Sequence, residues 1–272
     1  MIFASLSHDL RFACRALWSA KAFTLAAASM LSLGIAAALT MFALVQGVLL
    51  RPLPVHEPER LIVSWKEVRV SGSARYPFGS TEIEAVGRSS RLLAHVAGVT
   101  RNGVGRSLLA DTSEPGYVNV ALVTGAFFDV LGVRPLLGRT LTPEDDREGA
   151  EHVVVLSSRL WRGRYSASPD VIGRRVRLDE QAFTIAGVMP PDLDFPAGVD
   201  VWRTTSSMAT DGPFGDAARR EVNLLARLHA GVTMAQAGDE IAALAAQLER
   251  EAPPDETRGL ITVVRPFTEV IV

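Results

Sequence analysis

The residues with the most obvious potential for chemistry form one acidic run: Glu144, Asp145, Asp146 and Glu148. Clustered carboxylates suit calcium, but a calcium loop needs alternating ligand positions around a central glycine. The run has neither feature. The preceding Thr142 and Pro143 instead favour a helix start, with Thr142 as the cap and the acids near the positive end of the helix dipole. We therefore predict no metal site here.

Other catalytic or cofactor-binding patterns are absent from the sequence. The histidines are scattered singly, at positions 8, 56, 95, 152 and 229. No His-Glu-x-x-His zinc motif or Gly-x-Ser-x-Gly nucleophile motif occurs. The stretch Gly98–Gly103 lacks the lysine and hydroxyl residue that complete a phosphate-binding loop. We predict no catalytic, cofactor-binding or metal-binding residues, no cofactor, and no enzymatic activity.

Composition and charge indicate a folded protein that is not a nucleic-acid binder. Hydrophobic residues make up 48% of the chain and charged residues 21%, which is enough apolar material for a folded core. The net charge of -2 argues against a nucleic-acid binder, which normally carries a basic excess. The only cysteine, Cys14, has no partner for an internal disulfide. The mean hydropathy of +0.19 is high for a soluble protein and arises from one local stretch.

That stretch is free of charged residues from Ala22 to Leu50. About 20 apolar residues span the hydrocarbon core of a bilayer, so the run predicts a transmembrane helix over residues 22–50, ended by Pro52 and Pro54. The alternative is a cleaved secretory signal, whose apolar region has about 7–15 residues. The greater length of this run favours an uncleaved anchor. Its serine and threonine hydroxyls are expected to bond back to helix carbonyls.

Residues 1–21 precede this helix and carry Arg11, Arg15 and Lys21. Apolar residues on one side, opposed by His8 and the arginines, are typical of an amphipathic helix lying on the inner membrane surface. A simple basic lead-in to the anchor is the other interpretation, and both stay open. Flanking charges are nearly balanced, but a large domain is translocated largely regardless of its charge. We expect a cytoplasmic N-terminus and a large domain on the periplasmic or extracellular side.

Two strand–helix–strand units lie at the ends of the remaining chain. The first has predicted strands at Leu61–Trp65 and His95–Thr100. Its helix is predicted over Thr81–Leu93, with Thr81 and Glu84 as the capping box.

The second unit has predicted strands at Asn223–Leu228 and Ile261–Arg265. The helix between them begins at Thr233, with Gln236 at the reciprocal capping position. Its periodicity predicts a buried stripe of Met234, Ala237, Ile241, Leu244, Ala245 and Leu248. Two such units indicate a split α/β sandwich with helices on one face of a sheet.

A β-rich stretch separates the two units. Strands are predicted at Tyr117–Val123 and Val153–Leu156, and a hairpin at Val176–Val188 with Asp179 and Glu180 in the turn. Short helices are predicted at 126–131 and 160–165.

The predicted fold class is therefore α+β, with one N-terminal transmembrane helix and an extracytoplasmic domain of two strand–helix–strand units with an inserted β-rich subdomain. The predicted domains are residues 1–21, 22–50 and 51–272. Within the last, 51–108 and 204–272 form one α/β subdomain, and 109–203 form the insertion.

Several stretches together resemble one family. They are Asp9–Leu17, Ser32–Ala36, Val48–Pro54, Gly125–Arg139, Thr142–Asp145, Val153–Ser157 with Leu160 and Trp161, Ile172–Asp179, Ile185–Pro190 and Arg227–Gln236. In this order and spacing the chain resembles the MacB-like permeases of ABC transporters, especially the duplicated acidobacterial type.

The resemblance implies a cytoplasmic N-terminus, a first membrane helix, a periplasmic core domain and a separate cytoplasmic ABC ATPase. It also implies a homodimer or a second permease half in the inner membrane, and it supplies no catalytic residues. The family's further membrane helices are absent before Val272, so the resemblance covers the N-terminal portion of such a permease.

Three functional hypotheses follow. The first is a permease component that passes ATP-driven motion to an extracytoplasmic domain, with Gly125–Gly138 and the tip of the insertion as a partner-facing surface. In that loop, the other interpretation is that the glycines and Pro135 only set turns. The second hypothesis is a membrane-anchored binding or sensor module without transport. The third, an anchored extracytoplasmic enzyme, is weakest because no catalytic constellation is found.

Reporter fusions test the topology. Fusions at Ser5 and at Val272 are expected to report opposite sides of the membrane, with Val272 outside, because one charge-free helix separates them. Replacing Leu33 or Ile35 with Arg is expected to impair insertion, since a charge at the helix centre costs about 2.5–3.5 kcal/mol. Same-side signals from the two fusions would rule out a single span.

Overall fold

A computed structural model describes residues 18, 20–49, 55–68, 75–100, 104–111, 114–147, 149–207, 222–251 and 260–270. The chain divides into two compact units, residues 1–52 and 53–272. Most of the predicted segment 1–21 lies outside the described residues, as do Pro52 and Pro54 and the predicted end of the helix there.

The first unit contains one long helix, α1 (Lys21–Leu49). Its 29 residues give a length of about 43 Å, compared with about 30 Å for the hydrocarbon core. The stretch Lys21–Phe42 has a mean hydropathy of 1.9 with nothing buried, so it is long and apolar enough to cross a membrane. Thr24 and Thr40 donate to the carbonyls of Ala20 and Ala36, at 3.1 and 2.8 Å, which confirms the predicted back-bonding.

The second unit is built around one sheet of twelve strands in the described residues. They are β1 (Leu61–Val68), β2 (Arg75–Tyr76), β3 (Leu93–Thr100), β4 (Gly105–Ala110), β5 (Gly116–Val123), β6 (Leu137–Gly138), β7 (Val153–Leu156), β8 (Arg175–Leu178), β9 (Gln181–Val188), β10 (Val201–Thr204), β11 (Val222–Leu228) and β12 (Leu260–Pro266). The helices are α2 (Ser80–Ser89), α3 (Phe127–Leu131), α4 (Ser158–Tyr165), α5 (Met234–Glu251) and α6 (Phe267–Val270).

One half of this sheet has the order β12-β1-β11-β3, and every neighbouring pair is antiparallel. The connections β1-α2-β3 and β11-α5-β12 make it a split βαβ arrangement. Helices α2 and α5 cover one face through a shared apolar cluster that includes Ile83, Leu224 and Ile241. The predicted pairing of two strand–helix–strand units on one sheet is thus present, and the α+β class is confirmed.

The other half of the sheet closes on itself. Strands β5, β4, β8, β9, β7 and β10 follow one another, and β10 pairs in parallel with β5, completing a six-stranded barrel. A second apolar cluster fills it, with Val118, Val154, Phe183 and Val201 among its members. The hairpin turn at Asp179 and Glu180 lies where it was predicted. Strands β4 and β10 and the closure were not predicted.

Strand β5 connects the two halves. It pairs with β4 and β10 in the barrel and with β3 through Val99 and Val123. The largest apolar cluster lies at this junction and combines Leu61 and Ala97 with Phe128 and Trp202. Strand β4 runs across the predicted subdomain boundary at residues 108 and 109. The boundaries between the proposed subdomains stay a prediction.

Several local details differ from the predictions. Helix α2 ends at Ser89, and Leu93 already belongs to β3. Its N-terminus is capped by Glu82, not by Thr81 and Glu84, because the Glu82 carboxylate accepts the Gly79 amide at 2.8 Å. Helix α5 has the predicted Thr233–Gln236 box, with the Gln236 amide donating to Thr233 Oγ1 at 3.3 Å. In its predicted stripe, Met234 is 38% exposed since it lies at the helix start.

Replacing Ile241 with Asp tests the shared cluster beneath α2 and α5. Ile241 is fully buried, so the change removes its apolar contacts and places a carboxylate among apolar side chains, costing at least about 3 kcal/mol. The matched control is Ala243→Asp, two residues away on the exposed side of α5. Circular dichroism melting and protease resistance of the full chain are the measurements. Equal melting of both variants would show that α5 does not hold the sheet.

Candidate functional site

The described part of the second unit begins with a leading segment, residues 55–60, which charged side chains attach to the sheet. Arg60 donates through Nε and Nη2 to the Leu228 carbonyl, at 3.0 and 2.7 Å. Its Nη1 pairs with Glu57 Oε2 at 2.5 Å. Leu228 ends β11, a central strand of the split βαβ half. The leading segment is therefore attached to the end of a central strand of this half.

Arg227 lies beneath this segment and is only 6% exposed. Its Nε donates to the Val130 carbonyl at 2.9 Å and its Nη1 to the Glu57 carbonyl at 3.5 Å. Burial lowers the pKa of Arg227, and the positive charge of Arg60 lowers it further. Hydrogen bonds from a charged donor contribute roughly 1.5–3 kcal/mol each, so this side chain fixes β11, α3 and the leading segment together.

The third component is the end of α3. The His56 amide donates to the Leu131 carbonyl at 3.1 Å. Gly132 ends the helix with φ +68°, and a β-carbon there would lie 2.8 Å from the His56 Cβ. A side chain at residue 132 would thus be disfavoured both by the left-handed backbone and by His56. We call residues 55–60, 130–132, 227 and 228 the clasp.

The last described residues return to the same end of the unit. Pro266 at the end of β12 pairs with Ile62 at the start of β1, and α6 follows directly and packs against β1. Phe267 is fully buried in the junction cluster, and Val55 and Val270 pack on that cluster from its edge. The first and last parts of the unit are therefore neighbours.

The acidic run has a structural role in place of the predicted helix start. Residues 143–146 form a turn, because Asp145 accepts the Thr142 amide at 2.8 Å and pairs with Arg139 at 2.6 Å. The predicted helix there is wrong. Asp146 accepts the amides of Gly125 and Ser206, at 3.1 and 2.9 Å. Burial raises the pKa of Asp146, only partly offset by these hydrogen bonds.

The predicted partner-facing stretch Gly125–Gly138 divides into two parts. Phe127 and Phe128 are fully buried in the junction cluster. Gly138 has φ +67°, and a β-carbon there would clash with the Ala186 carbonyl. The backbone conformation and this close approach therefore require glycine at residue 138. Leu136 is 48% exposed, which limits a partner-facing role to the second part. That role stays a prediction.

No metal-binding or catalytic residues were predicted. In the described part of the chain, no group of three histidine, cysteine or acidic side chains is arranged so that it could hold a metal ion. The prediction overlooked the clasp. The available signal was Arg227, an arginine that follows the apolar run Leu224–Ala226 in the predicted strand. Its hydrogen-bond acceptors are carbonyl groups up to 170 residues away in the chain, which side-chain patterns do not indicate.

Comparison with known proteins places this geometry in context. A comparison with curated protein sequences returned no match. Among solved structures, the periplasmic region of MacB from Actinobacillus actinomycetemcomitans has a TM-score of 0.56 and 14% identity, covering 80% of this chain and 92% of that one. A domain of a putative permease protein from Porphyromonas gingivalis has a TM-score of 0.56 and 17% identity, covering 78% and 93%.

The extracellular domain of the noncanonic ABC-type transporter YknZ from Gram-positive bacteria has a TM-score of 0.54 and 14% identity, covering 75% of this chain and 99% of that one. Identities this low establish likeness of fold. The sequence itself matches the family described as MacB-like periplasmic core domain over residues 24–244, which include most of α1 and continue into α5. The resemblance found in the sequence is thereby confirmed, and the chain belongs to the family of MacB-like periplasmic core domain proteins.

Proposed function

We propose that this chain is the N-terminal part of an ABC-type transporter permease and transmits ATP-driven motion to its extracytoplasmic domain. The observation that carries the proposal is the family match over residues 24–244, which joins an apolar helix and the sheet domain in one stretch. MacB-like domains are found in transporter permeases and are not enzymes of a classical kind.

The geometry of the second unit supports a mechanical role. The leading segment and α6 lie at the same end of the second unit, where Ile62 pairs with Pro266. A displacement applied through either segment would therefore act on that end of the sheet. At this end, Arg60 links the leading segment to β11, and Arg227 links β11 to α3. Because β5 belongs to both halves of the sheet, the barrel is expected to follow the split βαβ half as one body.

The partners follow from the same proposal. Helix α1 contacts the lipid bilayer of the inner membrane, with the N-terminus in the cytoplasm and the sheet domain on the periplasmic or extracellular side. A separate cytoplasmic ABC ATPase supplies the energy. A second copy or a second permease half completes the membrane part. The absence of basic excess supports a protein that does not bind nucleic acid.

The test follows one label on the domain while ATP is hydrolysed. In a Cys14→Ser background, which removes the only cysteine, Met234→Cys carries a spin label at the exposed start of α5. The full chain is reconstituted in vesicles with candidate ABC ATPases. We expect an ATP-dependent change in the label's spectrum and stimulated ATP hydrolysis. A hydrolysis-deficient ATPase is the control.

A second label at Tyr117, on the exposed face of β5, separates movement from deformation. The distance between labels at residues 117 and 234 is expected to stay constant if the domain moves as one body. The permease proposal fails if ATP does not change the label's spectrum and this chain does not stimulate ATP hydrolysis by any of the ATPases. The anchored binding or sensor module would then be the better interpretation.

The stiffness of the clasp is tested by glycine substitution. Gly132 and Gly149 both have positive φ, but only at residue 132 would a β-carbon contact another residue. Each Gly→Ala change is expected to cost about 1–2 kcal/mol for the left-handed backbone. Gly132→Ala is expected to lose a further 1–3 kcal/mol, roughly, through its contact with His56. Thermal unfolding of the purified chain measures both, and equal losses would show that the leading segment moves aside freely.

A further inference from the structure

Strand β12 forms an open edge of the sheet. It pairs with β1, and within the described residues no other strand lies beside it. The backbone groups on its outer side are therefore available to a further strand. Exposed edges are usually protected by charged residues or proline. In β12 the only charged residue is Arg265 and the only proline is the last residue, Pro266, so residues 260–264 have neither form of protection.

A hollow of about 260 Å³ lies next to this edge, between β12 and α5. It exists because α5 presents small side chains to the strand. Its lining consists of Ala242, Ala245, Ala246 and Glu249 of α5, Leu260, Ile261 and Thr262 of β12, and Lys66 of β1. Where a strand adds to a sheet edge, backbone hydrogen bonds provide affinity and pockets for alternate side chains provide specificity. Strand β12 offers both.

The charges on the opposite face of the strand are also unpaired. Alternation places Ile261, Val263 and Arg265 on this face, and Val263 packs against the junction cluster. Arg265 is exposed and forms no ion pair within the described residues. Glu67 of β1 pairs in register with Ile261, so it lies on the same face. Its carboxylate accepts the Trp65 indole N–H at 2.7 Å and has no basic partner in the described part of the chain.

We propose that two copies of this chain associate through their β12 strands, antiparallel about a two-fold axis at Val263. This register is the one that overlaps all seven residues of the strand, and it pairs Ile261 with the partner's Arg265. Glu67, Ile261 and the partner's Arg265 then form one row across three strands. Neighbouring strands are about 4.8 Å apart, so the two charged residues are separated by about 10 Å, which their long side chains can span.

The two-fold axis repeats this arrangement, so each copy supplies one acid and one base to the interface. On the α5 side, Thr262 is opposite the partner's Val264, which places an additional apolar side chain at the hollow. The same strand thus matches itself in charge and in shape. The proposal rests on the proposed function only in taking a second copy as the partner. Its test uses no ATPase, so the two proposals fail separately.

Disulfide formation tests the register in the full chain, in membrane vesicles and in the Cys14→Ser background. Ile261→Cys and Arg265→Cys are placed on separately tagged copies, which are expressed together and oxidised with copper phenanthroline. Residues directly opposite each other have Cα atoms about 4.5–5.5 Å apart, within disulfide range. We expect the mixed dimer to form at least about tenfold faster than either self-linked dimer, because identical cysteines are offset by about 13 Å along the strands.

The self-linked dimers are the matched controls, since each uses a cysteine on the same edge with the wrong partner. A charge exchange provides a second test, with Val263→Cys as the reporter because the axis brings this residue opposite itself. Arg265→Glu is expected to slow disulfide formation by at least about threefold, since it places like charges together. Adding Glu67→Arg to that variant is expected to restore the rate. Thermal unfolding shows whether each variant is folded.

Three results would overturn the proposal. Equal rates for the mixed and self-linked dimers would indicate random collision or another register. A charge exchange that fails to restore the rate would rule out the pairing of Glu67 with the partner's Arg265. Absence of any disulfide between copies, or linkage of residue 261 to a different protein, would show that a second copy does not cover β12.

Discussion

The structure depends on strand β5 being shared by two differently built halves. Its first part pairs with β4, and its second part, from Val120 to Val123, pairs with β10 and meets β3 at Val123. At that point Gly98 donates its amide to Thr124 Oγ1 at 2.8 Å, and the Thr124 amide donates to the Gly98 carbonyl at 3.0 Å. A β-carbon at Gly98 would lie about 3.0 Å from Ile83 and Val222 side chains, so the close approach requires glycine there. The junction cluster then packs over the joint.

This joint explains why the clasp matters. Arg227 and Arg60 attach the leading segment to β11 and α3, which are neighbours of the joint and not distant surface features. Their acceptors are mainly carbonyl oxygens, and carbonyls do not change charge with pH as carboxylates do. The attachment is therefore expected to hold over a wide pH range. This attachment requires burial of the Arg227 guanidinium, which is unfavourable by itself. The hydrogen bonds of Arg227 to carbonyl oxygens offset part of that cost.

Local signals in the sequence predicted local structure well. Asp179 and Glu180 marked the hairpin turn, and Thr233 with Gln236 marked the start of α5, because each feature depends on residues close in the chain. The charge-free run predicted α1 for the same reason. The errors near Thr142 and Thr81 arose where the acid of the motif pairs with a basic side chain outside that motif: Asp145 pairs with Arg139 and Glu82 pairs with Lys66.

The closed barrel and the clasp could not be predicted from such local signals. Strand β10 has four residues, and it closes the ring by pairing Val201 with Val120, about 80 positions earlier. Nothing in the alternation of either segment specifies that pairing. Arg227 of the clasp is likewise identified only when the burial and the hydrogen-bond partners of its guanidinium group are known.

The adjacency of Ile62 and Pro266 has an evolutionary consequence. A domain whose chain begins and ends at neighbouring points makes little demand on the spacing of whatever precedes and follows it. It can be inserted into the loop of an existing protein, or exchanged for another domain, without disturbing the host's packing. The split βαβ order provides this property, because its first and last strands are neighbours in the sheet. Such portability allows one domain design to recur in proteins whose sequences have diverged as far as those of the solved relatives.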